Sequence, residues 1–167
     1  MLEVFFDYVC PHCKQGHVYL EDVIKEFPGT EIAWKPCEAH PRPEPGPHSD
    51  IIIQGMFYAL DSGVNMWRFH ERMYNACQED KIDIEDVDAI AEYSRDLLDP
   101  EDFRRVVGSK KYEKIQQDYN DYAYKKQGVW AIPSYRMDGG KLDSIEGVGV
   151  SVNQLRTFLN QYSNRVL

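Results

Sequence analysis

The sequence predicts an α/β protein in which a strand–helix–strand unit opens the chain, a helical block follows, and a strand–strand–helix unit closes it. Three observations support this: an aromatic and β-branched run near the start, a helical periodicity directly after it, and a second extended region beyond residue 128. The 167 residues allow one domain with an inserted subdomain and a sizeable core.

The opening unit is marked by a change of period. Residues 2–8 form an aromatic and β-branched run without proline, which predicts a short buried strand. Apolar residues then recur at i, i+3, i+4 and i+7, so we expect a helix from about Pro11 to Phe27, ended by Pro28 and Gly29. Residues 30–35 alternate weakly and predict a second strand, parallel to the first through a right-handed crossover.

The middle of the chain begins with a loop and continues as helices. Residues 36–50 contain five prolines, which exclude a continuous helix or strand and predict a long irregular loop. From Ile51 to Lys126 the apolar pattern is helical, and we expect four or five helices. Asp83 is predicted to cap one of them, and Asp99 another, whose first residue is Pro100.

The end of the chain is extended again before a last helix. Residues 134–138 and 142–146 flank Gly139-Gly140, a pair that accepts the positive φ of a tight hairpin. Ser151 and Gln154 form a capping-box pattern ahead of the closing helix. We therefore assign residues 1–50 and 128–167 to one α/β domain and residues 51–127 to an inserted helical subdomain.

Charge and hydropathy limit the classes of partner. The formal net charge of −9 repels phosphate backbones and anionic lipids, so we expect neither nucleic acid nor a membrane as partner. No stretch approaches the ~18 uninterrupted apolar residues of a membrane-spanning helix. The residues after Met1 lack the basic start and apolar centre of a secretory signal, which predicts a cytoplasmic location. The oligomeric state is left open.

The cysteines carry the sharpest chemical signal. Four cysteines are too few for a disulfide framework, and Cys10 and Cys13 lie only three residues apart. Pro11 suits the first position of a helix, so Cys10 falls at the helix N-terminus, where unpaired N–H groups and the helix dipole favour an anion. A thiolate is such an anion, and we predict that Cys10 is the attacking nucleophile.

Cys13 follows one helical turn later, where it can reach Cys10 and resolve a mixed disulfide. A disulfide between residues three apart closes too small a loop to stabilise a fold appreciably, which favours a bond made and broken in turnover. His12 can stabilise the Cys10 thiolate and make the oxidised form more oxidising. Cys10, Pro11, His12 and Cys13 are therefore the predicted catalytic residues, and no cofactor is expected.

A zinc or copper site is the alternative interpretation of this cysteine pair. Two further ligands would have to come from the other cysteine and histidine side chains, namely Cys37, His12, His17, His40 and His48. No second tight ligand pair accompanies the motif, apart from the spacing of His12 and His17, so we expect no metal. A metal-binding or chaperone-like module without redox turnover is the function that this alternative implies.

The motif and its surroundings resemble the DsbA-like family of thioredoxin-fold thiol–disulfide oxidoreductases. The similarity rests on the Cys-Pro-His-Cys motif after a strand, the helical block and the closing Ile132-Pro133-Ser134-Tyr135 segment. The segments 7–10 and 34–36 are closer to its leaderless FrnE-type branch. The resemblance implies that Cys10 attacks, that Cys13 resolves, and that Pro133 is a cis-proline lining a substrate groove. It also implies partners that carry thiols or disulfides, either proteins or small thiols.

An X–Pro bond is the one peptide bond for which the cis form is cheap, and a bend there leaves the backbone groups of Ile132 free to pair with an extended peptide. We therefore predict Ile132 and Pro133 as substrate-binding residues. An ordinary trans proline at the first position of a strand is the alternative.

The sequence departs from the family pattern at two positions, Val4 and Cys37. Val4 stands where the periplasmic prototype has a buried acid. Asp7 is the nearest acid in sequence; its carboxylate either faces the sulfurs and raises the pKa of Cys10, or is solvated at the strand end. Cys37 replaces an aromatic residue and is either a third redox thiol or a half-buried, unreactive one. Cys77 is expected in a helix core, and a Cys37–Cys77 bond is left open.

A second enzyme class shares the predicted layout. Kappa-type glutathione transferases and hydroxychromene-carboxylate isomerases use a similar thioredoxin domain with a helical insertion. They have a serine where this chain has Cys10, so the intact Cys-X-X-Cys motif favours the oxidoreductase.

Overall fold

A computed structural model of the chain describes residues 1–163. In this part, four strands and seven α-helices follow one another as β1 (Leu2–Phe6), α1 (Pro11–Val23), β2 (Ile32–Pro36), α2 (Asp50–Asp61), α3 (Met66–Gln78), α4 (Val87–Tyr93), α5 (Pro100–Gly108), α6 (Glu113–Asp121), β3 (Ser134–Met137), β4 (Gly140–Asp143) and α7 (Val152–Ser163). A 3-10 segment, Ile24–Glu26, continues α1, and a π-helical segment, Tyr122–Lys126, continues α6. The predicted α/β class, with its order of elements, is confirmed.

The chain divides into two compact units. One comprises Met1–Cys37 and the chain from Asp121 onward, and the other comprises Glu38–Asn120. The predicted α/β domain (residues 1–50 and 128–167) and helical subdomain (residues 51–127) stay a prediction.

The first unit is built on a four-stranded sheet in the order β2-β1-β3-β4. The pairing of β1 with β2 is parallel, as predicted, with Phe6 opposite Pro36. Pro36 tolerates this place because it ends its strand. β3 pairs antiparallel with both β1 and β4, so the closing hairpin extends the sheet.

The two faces of the sheet have different neighbours, because alternate residues of a strand face opposite sides. Phe5 packs against Cys37, Ala123 and Val129 and stacks on the ring of Tyr122 at 6.0 Å. Val4 and Tyr135, which are paired across β1 and β3, belong to the opposite face. α1 packs there, with α7 beside it.

The hairpin between β3 and β4 turns one residue earlier than predicted. Asp138 (φ 48°) and Gly139 (φ 81°) form the two-residue turn, while Gly140 already pairs with Met137 in the sheet. Positive φ at both central positions is the geometry for which Asp-Gly is favoured. Gly140 has its own constraint, because a Cβ atom there would overlap the ring of Tyr162.

The second unit contains α2 to α5 and most of α6, which agrees with the predicted helical block. The expected cap at Asp99 is confirmed, because its side chain accepts a hydrogen bond from the backbone N–H of Asp102 at 3.0 Å. The expected cap at Asp83 is wrong. Asp86 caps α4, whereas Asp83 accepts from the N–H of Glu85 in the turn before it, a local competition that such short side chains often win.

Residues 37–49 are irregular, as their prolines predict. The His48 ring is held within this loop at 2.8 Å from the Glu44 carbonyl and also contacts the Glu85 carboxylate at 2.6 Å. Over the residues described, none of the helices is both long and apolar enough to cross a membrane. The cytoplasmic location stays a prediction.

Candidate active site at the start of the first helix

Cys10 is the N-cap of α1, and Pro11 is the first residue of the helix. The backbone of Cys10 is extended (φ −88°, ψ 117°), and its sulfur accepts a hydrogen bond from the N–H of Cys13 at 3.3 Å. The side chain therefore takes the place that a serine or aspartate oxygen fills at other helix starts. This is the anion-favouring position that the sequence predicts for Cys10.

The pKa of the Cys10 thiol is lowered from its ordinary value. The largest cause is a hydrogen bond from the side chain of Cys13, and the backbone N–H groups of Cys13 and His12 act in the same direction. Partial burial and the negative charge of Asp7 oppose them. Hydrogen bonds to the thiolate outweigh desolvation here, which leaves Cys10 more acidic than a free cysteine.

Cys13 has the opposite environment. Its side chain is 1% exposed, and burial raises its pKa well above the ordinary value. The hydrogen bond to Cys10 and the Cys10 charge raise it further. Both residues are present as thiols and are not joined by a disulfide. The pair thus consists of an accessible acidic thiol and a buried weakly acidic one.

Pro11 and His12 lie between the two cysteines in the first turn of α1. Pro11 is exposed, and His12 is half-buried. His12 contributes its backbone N–H to the stabilisation of the Cys10 thiolate. Its imidazole lies against Gly149, where a Cβ atom on the glycine would approach the ring Nδ1 to 3.2 Å.

Pro133 and Ile132 lie directly beside the motif. The Ile132–Pro133 peptide bond is cis, and the Cys10 thiol donates a weak hydrogen bond to the Ile132 carbonyl, with 3.7 Å between sulfur and oxygen. The Pro133 ring packs on α1, because a Cβ atom at Gly16 would lie 3.0 Å from its Cγ. The structure therefore brings together the six residues that the sequence predicts for the site.

Tyr135 lies beside the site, although its sequence position predicts only that it belongs to the closing strand. It is 1% exposed, and burial followed by the charges of Cys13 and Cys10 raises its pKa. Its hydroxyl would lie 2.9 Å from a Cβ atom on Gly16. The alternation of side chains along a strand could have indicated this position, because residues 133 and 135 are two apart and face the same side.

Asp7 is fully buried, so the alternative of a solvated carboxylate at the strand end is wrong. It lies in the turn between β1 and α1, where its carbonyl accepts from the N–H of Cys10 at 3.3 Å and its carboxylate from the N–H of Val9 at 3.4 Å. Its negative charge raises the pKa of Cys10, Cys13 and Cys37. Asp7 is therefore the acidic residue of this site, while Val4 is an apolar core residue.

The remaining cysteines differ in burial. Cys37 is fully buried rather than half-buried, and burial raises its pKa to about 12, which favours the unreactive alternative over a third redox thiol. Cys77 is only half-buried on α3, so the expectation of a core residue is wrong in degree. Neither is in a disulfide, including the Cys37–Cys77 bond left open above.

The histidines considered as metal ligands have other surroundings. His17 is buried beside Trp34, with 6.2 Å between the rings, and His40 faces Glu44 at 3.9 Å. His48 contacts Glu85, as described above. Among residues 1–163, no three His, Cys, Asp or Glu side chains are grouped so that they could hold a metal ion.

Comparison with known proteins identifies the family. The family model described as DSBA-like thioredoxin domain matches residues 1–162. A curated relative is the uncharacterised protein YwbO of Bacillus subtilis (strain 168). It is 21% identical over an alignment 171 residues long, and the alignment covers 80% of this chain and 84% of that protein.

Several solved structures share the fold. The probable DsbA oxidoreductase of Streptomyces coelicolor has a TM-score of 0.78 at 14% identity, over 96% of this chain and 88% of that one. DsbA of Chlamydia trachomatis has a TM-score of 0.72 at 12% identity, over 96% and 86%. A 2-hydroxychromene-2-carboxylate isomerase has a TM-score of 0.70 at 11% identity, over 96% and 93%.

The TM-scores of these structures confirm the predicted thioredoxin fold. Their identities of 11–14% support no conclusion beyond that shared fold. The FrnE-type branch stays a prediction. The match of the family model over nearly the whole length is the stronger finding: this chain belongs to the family of DSBA-like thioredoxin domains.

Proposed function

We propose that this protein is a thiol–disulfide oxidoreductase that exchanges two electrons between the Cys10–Cys13 pair and the thiols or disulfides of proteins or small molecules. The observation that carries the proposal is the placement of the two sulfurs. Cys10 is the N-cap of α1 and accepts the N–H of Cys13 at 3.3 Å, whereas Cys13 is 1% exposed, so the pKa of Cys10 is lowered and that of Cys13 is raised. A nucleophile and a resolving thiol need this difference, because only one of them must be ionised at the first step.

In the reducing direction, the Cys10 thiolate attacks one sulfur of a substrate disulfide. The substrate S–S bond breaks, so the attacked sulfur is joined to Cys10 in a mixed disulfide and the other substrate sulfur leaves as a thiolate. Cys13 then loses its proton and attacks the Cys10 sulfur. This releases the substrate sulfur of the mixed disulfide as a thiolate and forms the Cys10–Cys13 disulfide. Two electrons pass to the substrate, and the reverse sequence oxidises a dithiol.

Ile132 and Pro133 supply the binding surface in this proposal. The Ile132 carbonyl lies 3.7 Å from the Cys10 sulfur, so a peptide whose backbone pairs with Ile132 brings its own sulfur close to Cys10. Pro11 begins the helix without an N–H of its own, which leaves the amides of His12 and Cys13 to stabilise the thiolate.

Equilibration with glutathione tests the proposal. The protein is incubated in buffers of graded thiol-to-disulfide ratio, quenched with acid and alkylated, and the Cys10–Cys13 state is scored by mass. We expect one two-electron transition, in which a tenfold change of the equilibrium constant corresponds to about 30 mV. The transition also gives the direction of electron flow once the potential of the compartment is known. A pair that never forms a disulfide over the whole range contradicts the proposal.

Two serine variants test the order of the sulfurs. Cys13→Ser is expected to accumulate a mixed disulfide through Cys10, because the resolving thiol is gone. Cys10→Ser should form almost none, because the remaining Cys13 is buried and weakly acidic. Equal trapping by the two variants is incompatible with the assigned roles.

A glutathione-dependent isomerase or transferase is the second candidate, and the fold shared with a 2-hydroxychromene-2-carboxylate isomerase supports it. Such an enzyme needs no resolving thiol, so its activity toward glutathione and an electrophile should survive Cys13→Ser. Loss of glutathione conjugation in that variant, or its absence from the wild type, favours the oxidoreductase.

A further inference from the structure

The turn between β4 and α7 reaches the site from two sides, although it takes no part in the exchange proposed above. It runs from Ser144 to Gly149 and is closed by backbone hydrogen bonds between Ile145 and Gly149, at 3.2 Å and 2.9 Å, and from Val148 to Ile145 at 2.9 Å. Closed in this way, the turn has little freedom to move one end without the other.

The first end of the turn is attached to the proline of the site. The Ser144 hydroxyl donates a hydrogen bond to the Pro133 carbonyl at 2.5 Å, and Ser144 is only 3% exposed. A buried hydrogen bond between a hydroxyl and a carbonyl is costly to break, because neither group then finds water. The turn and the segment around Pro133 are therefore held in a defined relative position.

The other end of the turn touches the histidine of the motif. Gly149 has φ +82°, and a Cβ atom built on it would lie 3.1 Å from the His12 Cβ and 3.2 Å from the ring Nδ1. The glycine backbone is thus packed against the His12 side chain, and a Cβ atom at position 149 would require that side chain to shift by a few tenths of an ångström. Glycine is favoured here twice, by the positive φ and by the close approach.

We propose that Gly149 is a positioning residue for His12, and that Ser144 fixes the turn that presents it by anchoring that turn to Pro133. The inference rests on the proposed function, because its effect is exerted through the Cys10–Cys13 couple. Contact with the glycine backbone restricts where the ring can lie, and therefore how it can act on the Cys10 thiolate. A ring pushed away stabilises the thiolate less, which disfavours the reduced form and makes the protein less oxidising.

Gly149→Ala tests this against a control that isolates backbone strain. Gly139→Ala is matched, because Gly139 has φ +81° but no atom within 4 Å of its Cβ position. In glutathione buffers, we expect Gly149→Ala to shift the equilibrium constant toward the oxidised protein by about threefold or more, or roughly 14 mV, with Gly139→Ala within about 1.5-fold of wild type. Equal shifts in the two variants overturn the proposal.

A double-mutant cycle with His12→Ala shows whether the effect passes through the ring. In the His12→Ala background, Gly149→Ala should lose most of its shift, because the ring is absent and only the Cβ contact at position 12 remains. A shift of undiminished size in that background also overturns the proposal.

Ser144→Ala supplies a second variant without positive-φ strain, in case Gly149→Ala does not fold. We expect it to shift the equilibrium constant in the same direction, and an unchanged constant contradicts the anchoring role. A wild-type protein without any Cys10–Cys13 transition would defeat the proposed function itself, which separates the two failures.

Discussion

Cys10 and Cys13 are three residues apart, yet burial acts on them very differently. The Cys10 sulfur is at the helix end, where amide hydrogens and the Cys13 thiol stabilise its charge. The Cys13 sulfur is enclosed, and desolvation dominates its titration. A single turn of helix is therefore enough to separate an attacking thiol from a resolving one.

Asp7 is the residue that limits the acidity of both thiols. We expect Asp7→Asn to lower the pKa of Cys10 and of Cys13, because removal of a buried negative charge favours each thiolate. The rate of Cys10 alkylation by iodoacetamide, measured against pH, should keep its shape and move its midpoint to lower pH. The glutathione equilibrium should shift toward the reduced protein.

Asp22→Asn is the control for this prediction. Asp22 is exposed near the end of α1, about 18 Å along the helix from Cys10 at 1.5 Å per residue, which exceeds the screening length of about 8–10 Å in physiological salt. Its midpoint should match that of wild type. A midpoint that is unchanged or raised in Asp7→Asn shows that the carboxylate does not act on the sulfurs.

Helix α1 combines two tasks, since its start carries the thiols and its buried face approaches the strand after Pro133. Gly16 makes this approach close. A Cβ atom there would lie 2.9 Å from the Tyr135 hydroxyl and 3.0 Å from the Pro133 ring. A glycine inside a helix ordinarily costs about 1 kcal/mol relative to alanine, so its presence here reflects packing rather than helix propensity.

Gly16→Ala is therefore expected to destabilise the protein despite the better helix former. Overpacking at this contact should cost about 1–3 kcal/mol in the free energy of unfolding, measured in urea. Gly108→Ala is the matched control, because Gly108 ends α5 with nothing within 4 Å of its Cβ position. That variant should be neutral or slightly more stable. A stabilised Gly16→Ala protein contradicts the close packing described here.

The whole molecule couples thiol ionisation to folding. In the reduced folded protein, the pKa of Cys10 lies below the ordinary pKa of a cysteine thiol, and that of Cys13 lies above it. The stabilisation from Cys10 is present above that ordinary pKa and is lost as pH falls through the folded pKa. The stabilisation from Cys13 is present below the ordinary pKa and is lost as pH rises above it.

The difference in unfolding free energy between the reduced and the oxidised protein should therefore have a maximum near pH 8–9, with limbs of at most about 1.4 kcal/mol per pH unit. Urea unfolding of both forms across pH 5–11 measures it. Cys37 and Cys77 remain thiols in both forms, so their contributions cancel. A protein with both Cys10→Ser and Cys13→Ser should show no effect of reductant. A flat difference across this range contradicts the opposite displacement of the two pKa values.

Much of this architecture could be predicted because its signals are local. The apolar periods indicated the order of strands and helices. Ser151 and Gln154 form the reciprocal capping box that their spacing predicts, at 2.8 Å and 3.2 Å. The hairpin turn differs by one residue, because both Asp138-Gly139 and Gly139-Gly140 accept positive φ, and the pairing of Met137 with Gly140 selects between them.

The chemistry of the motif was already contained in the spacing of Cys10, Pro11 and Cys13, since a helix N-terminus favours a thiolate wherever the helix packs. The burial of Asp7, the approach of Tyr135 and the contact of Gly149 with His12 required the folded chain. Capping and periodicity act over a few residues, whereas desolvation and close packing depend on segments brought together from opposite ends of the chain.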